Sequence, residues 1–268
     1  MPRFAPHPAR RPVLIAGASS GIGAATAVAL AELGHPVALG ARRVEICETL
    51  AEKIRADGGE AFAARLDVAD TASVDEFVTA AEAALGPIEI VVSGAGDLEF
   101  GQGWTMHPDV FESQLRVHLV GAQRLAHRVI PGMIDRQRGD FVVIGSDCAD
   151  RPRPGAGAYN AAKVGVEAFA TQLRMELEGT GVRSSIVRPG QTLTGMGMQS
   201  TPEVVGPLLE SWVKFGFARH PYMLRPADLA AAVAAVVSTP RGAHLVLVEV
   251  QPEAPLREAQ QDKQSGGS

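Results

Sequence analysis

The sequence predicts an α/β fold: one doubly wound domain on a seven-stranded parallel sheet with helices on both faces. Three observations predict it. Short apolar runs alternate with helical patterns from Val13 to Val250. Most of those runs are apolar on both faces, as strands covered on two sides must be. A glycine-rich turn follows the first run and opens the first helical pattern.

The elements follow in order. Val13 to Gly17 is the first strand, and Gly21 to Gly34 is a helix apolar almost all round, hence buried. His35 to Ala41 is strand, and Val44 to Asp57 is an amphipathic helix with interleaved charges. Glu60 to Val68 is strand, and Thr71 to Leu85 is helix, capped by Asp70 or Thr71. Ile88 to Ser93 is strand, Pro108 to Arg136 one long helix, and Phe141 to Ser146 strand. Ala158 to Leu177 is helix and Val182 to Val187 strand. A weak helical pattern covers Pro202 to Phe217, before the helix Asp228–Ser238 and the strand His244–Val250. Residues 12–250 form one domain, with 1–11 and 253–268 expected as flexible tails.

Composition bounds the function. A hydrophobic fraction of 46% with 21% charged residues is enough for a packed core. The net charge of −5 offers no basic surface, so nucleic acid is not expected as a partner. No apolar run reaches the roughly 18–20 residues of a membrane span, so no membrane partner is expected. Cys47 and Cys148 have neither disulfide-framework nor metal-ligand spacing, and the histidines form no metal pattern. Free thiols and the lack of an apolar signal core give a cytoplasmic expectation.

Gly17, Gly21 and Gly23 sit at the turn from first strand to first helix, with Ser19, Ser20 and Ile22 between them. Glycines there permit a tight turn and let backbone approach a pyrophosphate, which the helix N-terminus attracts. The spacing is G-x-x-x-G-x-G, neither the common dinucleotide fingerprint nor a P-loop. The second strand ends in Arg42 and Arg43 rather than an acid. Guanidinium groups suit a ribose 2′-phosphate, so NADP(H) is expected ahead of NAD(H).

Tyr159 and Lys163 lie four apart at a helix start, hence on one face one turn apart. An ammonium beside a phenol favours phenolate, which is expected to lower the Tyr159 pKa toward the working range of an acid/base group. Ser146 ends a buried strand, where ligands sit in open parallel sheets. With only two tyrosines in the chain, Tyr159 in this context is informative.

These pieces resemble the short-chain dehydrogenase/reductase family across roughly Pro12 to Val250. The resemblance rests on the glycine turn, Asp67-Val68, Ala95-Gly96, Ser146, Tyr159/Lys163, and Pro189-Gly190 with Thr194. It implies a Rossmann-like sheet and hydride transfer between a nicotinamide cofactor and an alcohol or carbonyl. It implies that Tyr159 is the general acid/base, that Lys163 tunes it and holds the nicotinamide ribose, and that Ser146 polarises the substrate oxygen. Asp67 and Val68 would border the adenine, with Gly94, Ala95, Gly96 and Val117 beside the cofactor. Pro189, Gly190, Thr192 and Thr194 would border the nicotinamide carboxamide.

The chain departs from the family twice. Ser93-Gly94-Ala95-Gly96 stands where Asn-Asn-Ala-Gly is usual. His118 stands where the long helix usually carries an asparagine that holds a relay water. Histidine titrates near neutrality, so His118 is expected either to join the proton relay or merely to fill the helix.

Gln191 to Tyr222 collects Met196, Met198, Trp212, Phe215, Phe217 and Tyr222, and in the resembled family this region is the substrate lid. Adaptable methionines and aromatics suit a lipophilic secondary alcohol or ketone. Asp147 and Cys148 are candidates to line its pocket, and Arg151 and Arg153 are expected on a solvated rim, with carboxylate binding as their alternative role. Two alternatives stand beside this reading: a non-catalytic dinucleotide-binding regulator on the same fold, and a 3-oxoacyl-thioester reductase. A homo-oligomer, dimer or tetramer, is expected because most relatives assemble.

Overall fold

Seven strands form one sheet: β1 (Val13–Ala16), β2 (Val37–Ala41), β3 (Ala61–Arg65), β4 (Ile90–Ser93), β5 (Gly139–Ile144), β6 (Val182–Pro189) and β7 (Leu247–Val250). Their order is β3-β2-β1-β4-β5-β6-β7, and every neighbouring pair is parallel. The structure is a computed structural model of the chain and describes residues 4–196, 202–218 and 220–256.

Alternating side chains of each strand feed two cores, because successive residues point to opposite faces. Leu14 and Ala16 pack with Phe77, Leu125, Phe141 and Val166 under α3 (Thr71–Leu85), α5 (Gly121–Asp135) and α6 (Gly157–Glu176). Val13 and Ile15 pack with Leu30, Leu39, Ile54 and Leu229 under α1 (Gly21–Glu32), α2 (Val44–Ala56) and α8 (Pro226–Ser238). Each fully buried aliphatic or aromatic side chain contributes roughly 1.5–3 kcal/mol. The strand order reverses at β1, so the connections leaving β1 and β4 run to opposite faces and their carboxyl ends are where a ligand crevice is expected.

The structure refines the sequence reading at several elements. Asp70 is the cap of α3, its carboxylate accepting the Ala72 N–H at 3.0 Å. The long helix is α4 (Pro108–Leu115) joined to α5 by a π turn at Arg116–Val120. That one wide turn carries His118, and such turns in helices often mark functional sites. β5 starts at Gly139 and ends at Ile144, so Ser146 lies just beyond the sheet. β7 starts at Leu247 rather than His244. α7 (Pro202–Lys214) fulfils the weak helical pattern, though residues 197–201 and 219 of the expected lid lie outside the described residues.

The N-terminal segment is held where it was expected to be loose. Arg11 is almost wholly buried, donating to Asp140 at 2.5 Å and to the Val237 carbonyl at 3.0 Å. Arg183 binds the same Asp140 carboxylate through two nitrogens. Arg10 pairs with Glu60. Of the expected C-terminal tail, residues 257–268 lie outside the described residues, and Leu256 is exposed. Among the described residues no helix is long and apolar enough to cross a membrane.

Candidate active site

The glycine turn is a backbone cradle. Gly17 has φ 90°, and a Cβ there would stand 2.9 Å from the Ala95 backbone. A Cβ on Gly23 would stand 2.3 Å from the Gly17 carbonyl oxygen, so helix and turn close on each other only as glycines. Ser20 precedes α1 in an extended conformation and does not cap it with its side chain. The helix N-terminus therefore presents N–H donors and a partial positive charge to the crevice. Ile22, in the first turn of α1, packs against the core. Arg43 reaches back over this turn, donating to Ser19 Oγ at 3.1 Å and Ser20 Oγ at 3.3 Å, with Arg42 exposed beside it. Free donors, a close backbone and a guanidinium together fit a phosphate-bearing dinucleotide.

The remaining expected cofactor residues, apart from Val117, lie at or beyond the carboxyl ends of β3, β4 and β6. Asp67 Oδ1 accepts the Ala69 N–H, and buried Val68 lies against Gly121. Gly94 N–H donates to the Ala16 carbonyl, seating the Gly94-Ala95-Gly96 turn against β1. Val117 packs into the core from the π turn. Beyond β6, which ends at Pro189, Thr192 donates to the Gly190 carbonyl at 2.9 Å. Thr194 lies across the crevice, its Cγ2 3.3 Å from where a Gly21 Cβ would be.

Ser146, Tyr159 and Lys163 come together beyond the carboxyl end of β5. Ser146 Oγ accepts the Cys148 N–H at 3.2 Å and donates only a long bond, at 3.5 Å, to Asp147 Oδ1, which a substrate oxygen could displace. The Ser146 hydroxyl is close enough to the Tyr159 phenol to draw its pKa down. Lys163 Nζ donates to the Ile144 carbonyl at 2.8 Å and stands 5.5 Å from the Tyr159 ring centre. The expected lowering of the Tyr159 pKa is corrected by this geometry. Burial pushes it up, Cys148 and Asp147 add to that, and the Ser146 hydroxyl opposes it. Tyr159 is thus a protonated phenol, an acid ready to donate. Burial pushes the Lys163 ammonium down to about 8, against the raising influence of Glu167 and Cys148.

Of the two roles expected for His118, the geometry fits the filling one. Burial, then the Lys163 charge, push it down to about 3, while its bond to Asp97 opposes the fall. The ring is neutral near pH 7 and does not titrate there. Nε2 meets the Asp97 carbonyl oxygen at 2.7 Å, Nδ1 is buried without a partner, and the ring stands edge-on to Tyr159 at 5.3 Å. A Gly96 Cβ would be 2.2 Å from His118 Cε1, so the histidine fills the space glycine leaves.

Arg153, expected on a solvated rim, is largely buried in the site. It pairs with Asp147 at 2.6 Å, donates to Cys148 Sγ at 3.1 Å and stacks on Trp212, while its Nε has no partner. Trp212 Nε1 donates to the Pro154 carbonyl at 2.9 Å, which seats α7 on this loop. Asn160 brackets the loop through the Arg153 N–H and carbonyl.

Two buried residues escaped the sequence reading. Glu167 repeats the four-residue spacing of Tyr159 and Lys163, and Arg188 pairs with it at 2.5 Å. An acid at that spacing within an apolar helix pattern was the available signal. Among the described residues no group of three or more His, Cys, Asp or Glu is placed to hold a metal ion.

Comparison with known proteins points to one family. The family model described as short chain dehydrogenase matches residues 11–204. The glycine betaine reductase ATRR of Emericella nidulans is 37% identical over 238 residues, covering 88% of this chain. The chain spans only 18% of that protein's length. The 2,3-dihydro-2,3-dihydroxybenzoate dehydrogenase of Bacillus subtilis is 32% identical over 234 residues, 85% of this chain and 89% of the relative. Among solved structures, the alcohol dehydrogenase of Thermococcus sibiricus complexed with 5-hydroxy-NADP superposes with a TM-score of 0.79 at 27% identity, covering 93% of this chain and all of the other.

Proposed function

The chain belongs to the short-chain dehydrogenase family, and from that membership we propose that it transfers a hydride between NADP(H) and a lipophilic secondary alcohol or ketone. It is an oxidoreductase of that family. One observation carries the finer reading: a serine hydroxyl and a protonated tyrosine come together beside a buried lysine beyond the carboxyl end of β5.

When bound, a nicotinamide supplies or accepts the hydride. Gly17, Gly21, Gly23 and the α1 N-terminus hold its pyrophosphate, and Arg43 supports the phosphate of NADP. In the reducing direction Ser146 donates a hydrogen bond to the substrate carbonyl oxygen and orients it. Tyr159 donates its phenolic proton to that oxygen as negative charge develops there. The Lys163 ammonium supports the phenolate that remains. Because Lys163 loses its charge above about 8, carbonyl reduction falls as pH rises past that value.

A second reading has specific support. Arg153, largely buried beside Ser146 and with its Nε unpartnered, suits a substrate carrying a carboxylate near its carbonyl. Asp147 competes for that guanidinium, so the lipophilic reading stays first. The same proposal takes the protein to act in the cytoplasm as a homo-oligomer. Apolar Val120, Val164 and Met175, exposed on the π turn and α6, support a dimer or tetramer.

The test is a panel of apolar ketones, keto acids and 3-oxoacyl thioesters offered with NADPH or NADH, followed by nicotinamide absorbance. NADPH-dependent turnover led by the apolar ketones is expected. Cofactor binding with no turnover of any carbonyl or alcohol supports the regulator instead, and leading keto acids or thioesters transfer the assignment to those classes.

A further inference from the structure

The parallel pairing of β5 with β6 ends at Ile144 opposite Val187, and Gly145 N–H still donates to the Val187 carbonyl at 2.8 Å. The next residue, Ser146, has left the sheet, and its N–H needs a new acceptor in a buried position. Glu167 Oε1 supplies it at 3.1 Å. The carboxylate reaches this place because residue 145 is glycine, since a Cβ there would stand 2.1 Å from Glu167 Oε1.

Glu167 is itself clamped. Arg188 donates through Nε to Oε1 at 3.3 Å and through NH2 to Oε2 at 2.5 Å. The other guanidinium nitrogen holds Asp150, at the end of the 147–150 turn, and Glu249 of β7 at 3.3 Å. A buried carboxylate costs several kcal/mol unless it is paired and hydrogen-bonded, and here both oxygens are paired.

On the reading above, we propose that Glu167, clamped by Arg188, is a positioning residue that fixes the Ser146 backbone and thereby aims the Ser146 hydroxyl at the reacting oxygen. The register makes it specific. Tyr159, Lys163 and Glu167 project from one face of α6, so a single helix sets both the proton donor and the anchor of its serine partner. Glu167 and Cys148 raise the Lys163 pKa against its burial. The charged and titratable groups around this cluster are Lys163, Arg188, Asp150, Glu249, Asp147, Cys148, Tyr159 and His118.

The experiment is a double-mutant cycle of Glu167→Gln with Ser146→Ala, read by turnover and by hydrogen exchange. Glutamine keeps the shape but sets an amide nitrogen against the Arg188 fork. In the Ser146 background it is expected to lower kcat about tenfold with the KM for NADPH within about twofold. In the Ser146→Ala background the further loss is expected to stay under about twofold, because the serine it acts through is gone. Exchange at the amides of residues 145–148 is expected to rise about tenfold. Equal kcat losses in both backgrounds, or unchanged exchange at 145–148, would overturn the role. If Glu167→Gln does not fold, Arg188→Lys enters the same cycle with the same expectations. A parent protein that turns over no carbonyl contradicts the oxidoreductase mechanism, and the exchange result then decides on its own whether Glu167 holds Ser146.

Discussion

His118 shows how burial changes what a residue can do. The residue type suggests a group that titrates near neutrality, yet the folded ring is held down to about 3 against an ordinary 6.5. As pH falls below about 6.5 the unfolded chain takes up the proton first, so stability present above that pH is lost progressively toward about 3. By pH 5 this amounts to about 2 kcal/mol. His118→Asn is therefore expected to show a smaller drop in Tm between pH 7 and pH 5 than the parent. An equal drop in both would show that His118 is not the group responsible. Arg43 carries a second residue-scale prediction. Arg43→Ala is expected to raise the KM for NADPH about tenfold with little change for NADH, and Arg42→Ala to do less, because only Arg43 bridges the two serines. Tyr159, Lys163 and Ser146 were legible because spacing and strand end fix their neighbourhood. The protonation of Tyr159 and the burial of Arg153 depend on residues distant in sequence, to which spacing is blind.

At the scale of elements, most of the strand and helix pattern was legible because apolar periodicity survives without tertiary context. Ends were less so. Ser146 reads as the last strand residue, but Glu167 draws it out of the ladder, and Glu167 lies 21 residues away. The π turn at Arg116–Val120 is equally silent in sequence, since a helix with one wide turn keeps its apolar pattern. The turn between β1 and α1 is closed tightly on backbone. Gly23→Ala is expected to lose most NADPH binding and to lower Tm, because the new methyl meets backbone that has nowhere to move. Retained binding in a fluorescence titration would contradict the close approach. On α7, Trp212→Ala is expected to raise the substrate KM several-fold while NADPH binding holds, since the indole seats the helix on the loop carrying Arg153.

Across the whole molecule, stability and chemistry occupy opposite ends of the sheet. The carboxyl ends hold the site, and the amino ends hold a buried charge network of Arg11, Glu89, Asp140 and Arg183. Arg11→Met is expected to cost about 1–3 kcal/mol, because Asp140 loses one buried donor but keeps Arg183, with Tm falling by about 5 °C and kcat within about twofold. The fold was legible as a class because layers and connection order leave few topologies open. The N-terminal clamp was not, because a short basic, proline-rich segment reads as tail until its partners 50 to 226 residues away are in place. The central claim is that one hydroxyl of this molecule moves the proton that accompanies hydride transfer. Turnover and NADPH binding measured side by side on the parent and on Tyr159→Phe test it most directly. Binding within about twofold of the parent, with turnover lower by about a thousandfold, is the expected result; turnover retained within about tenfold would contradict it.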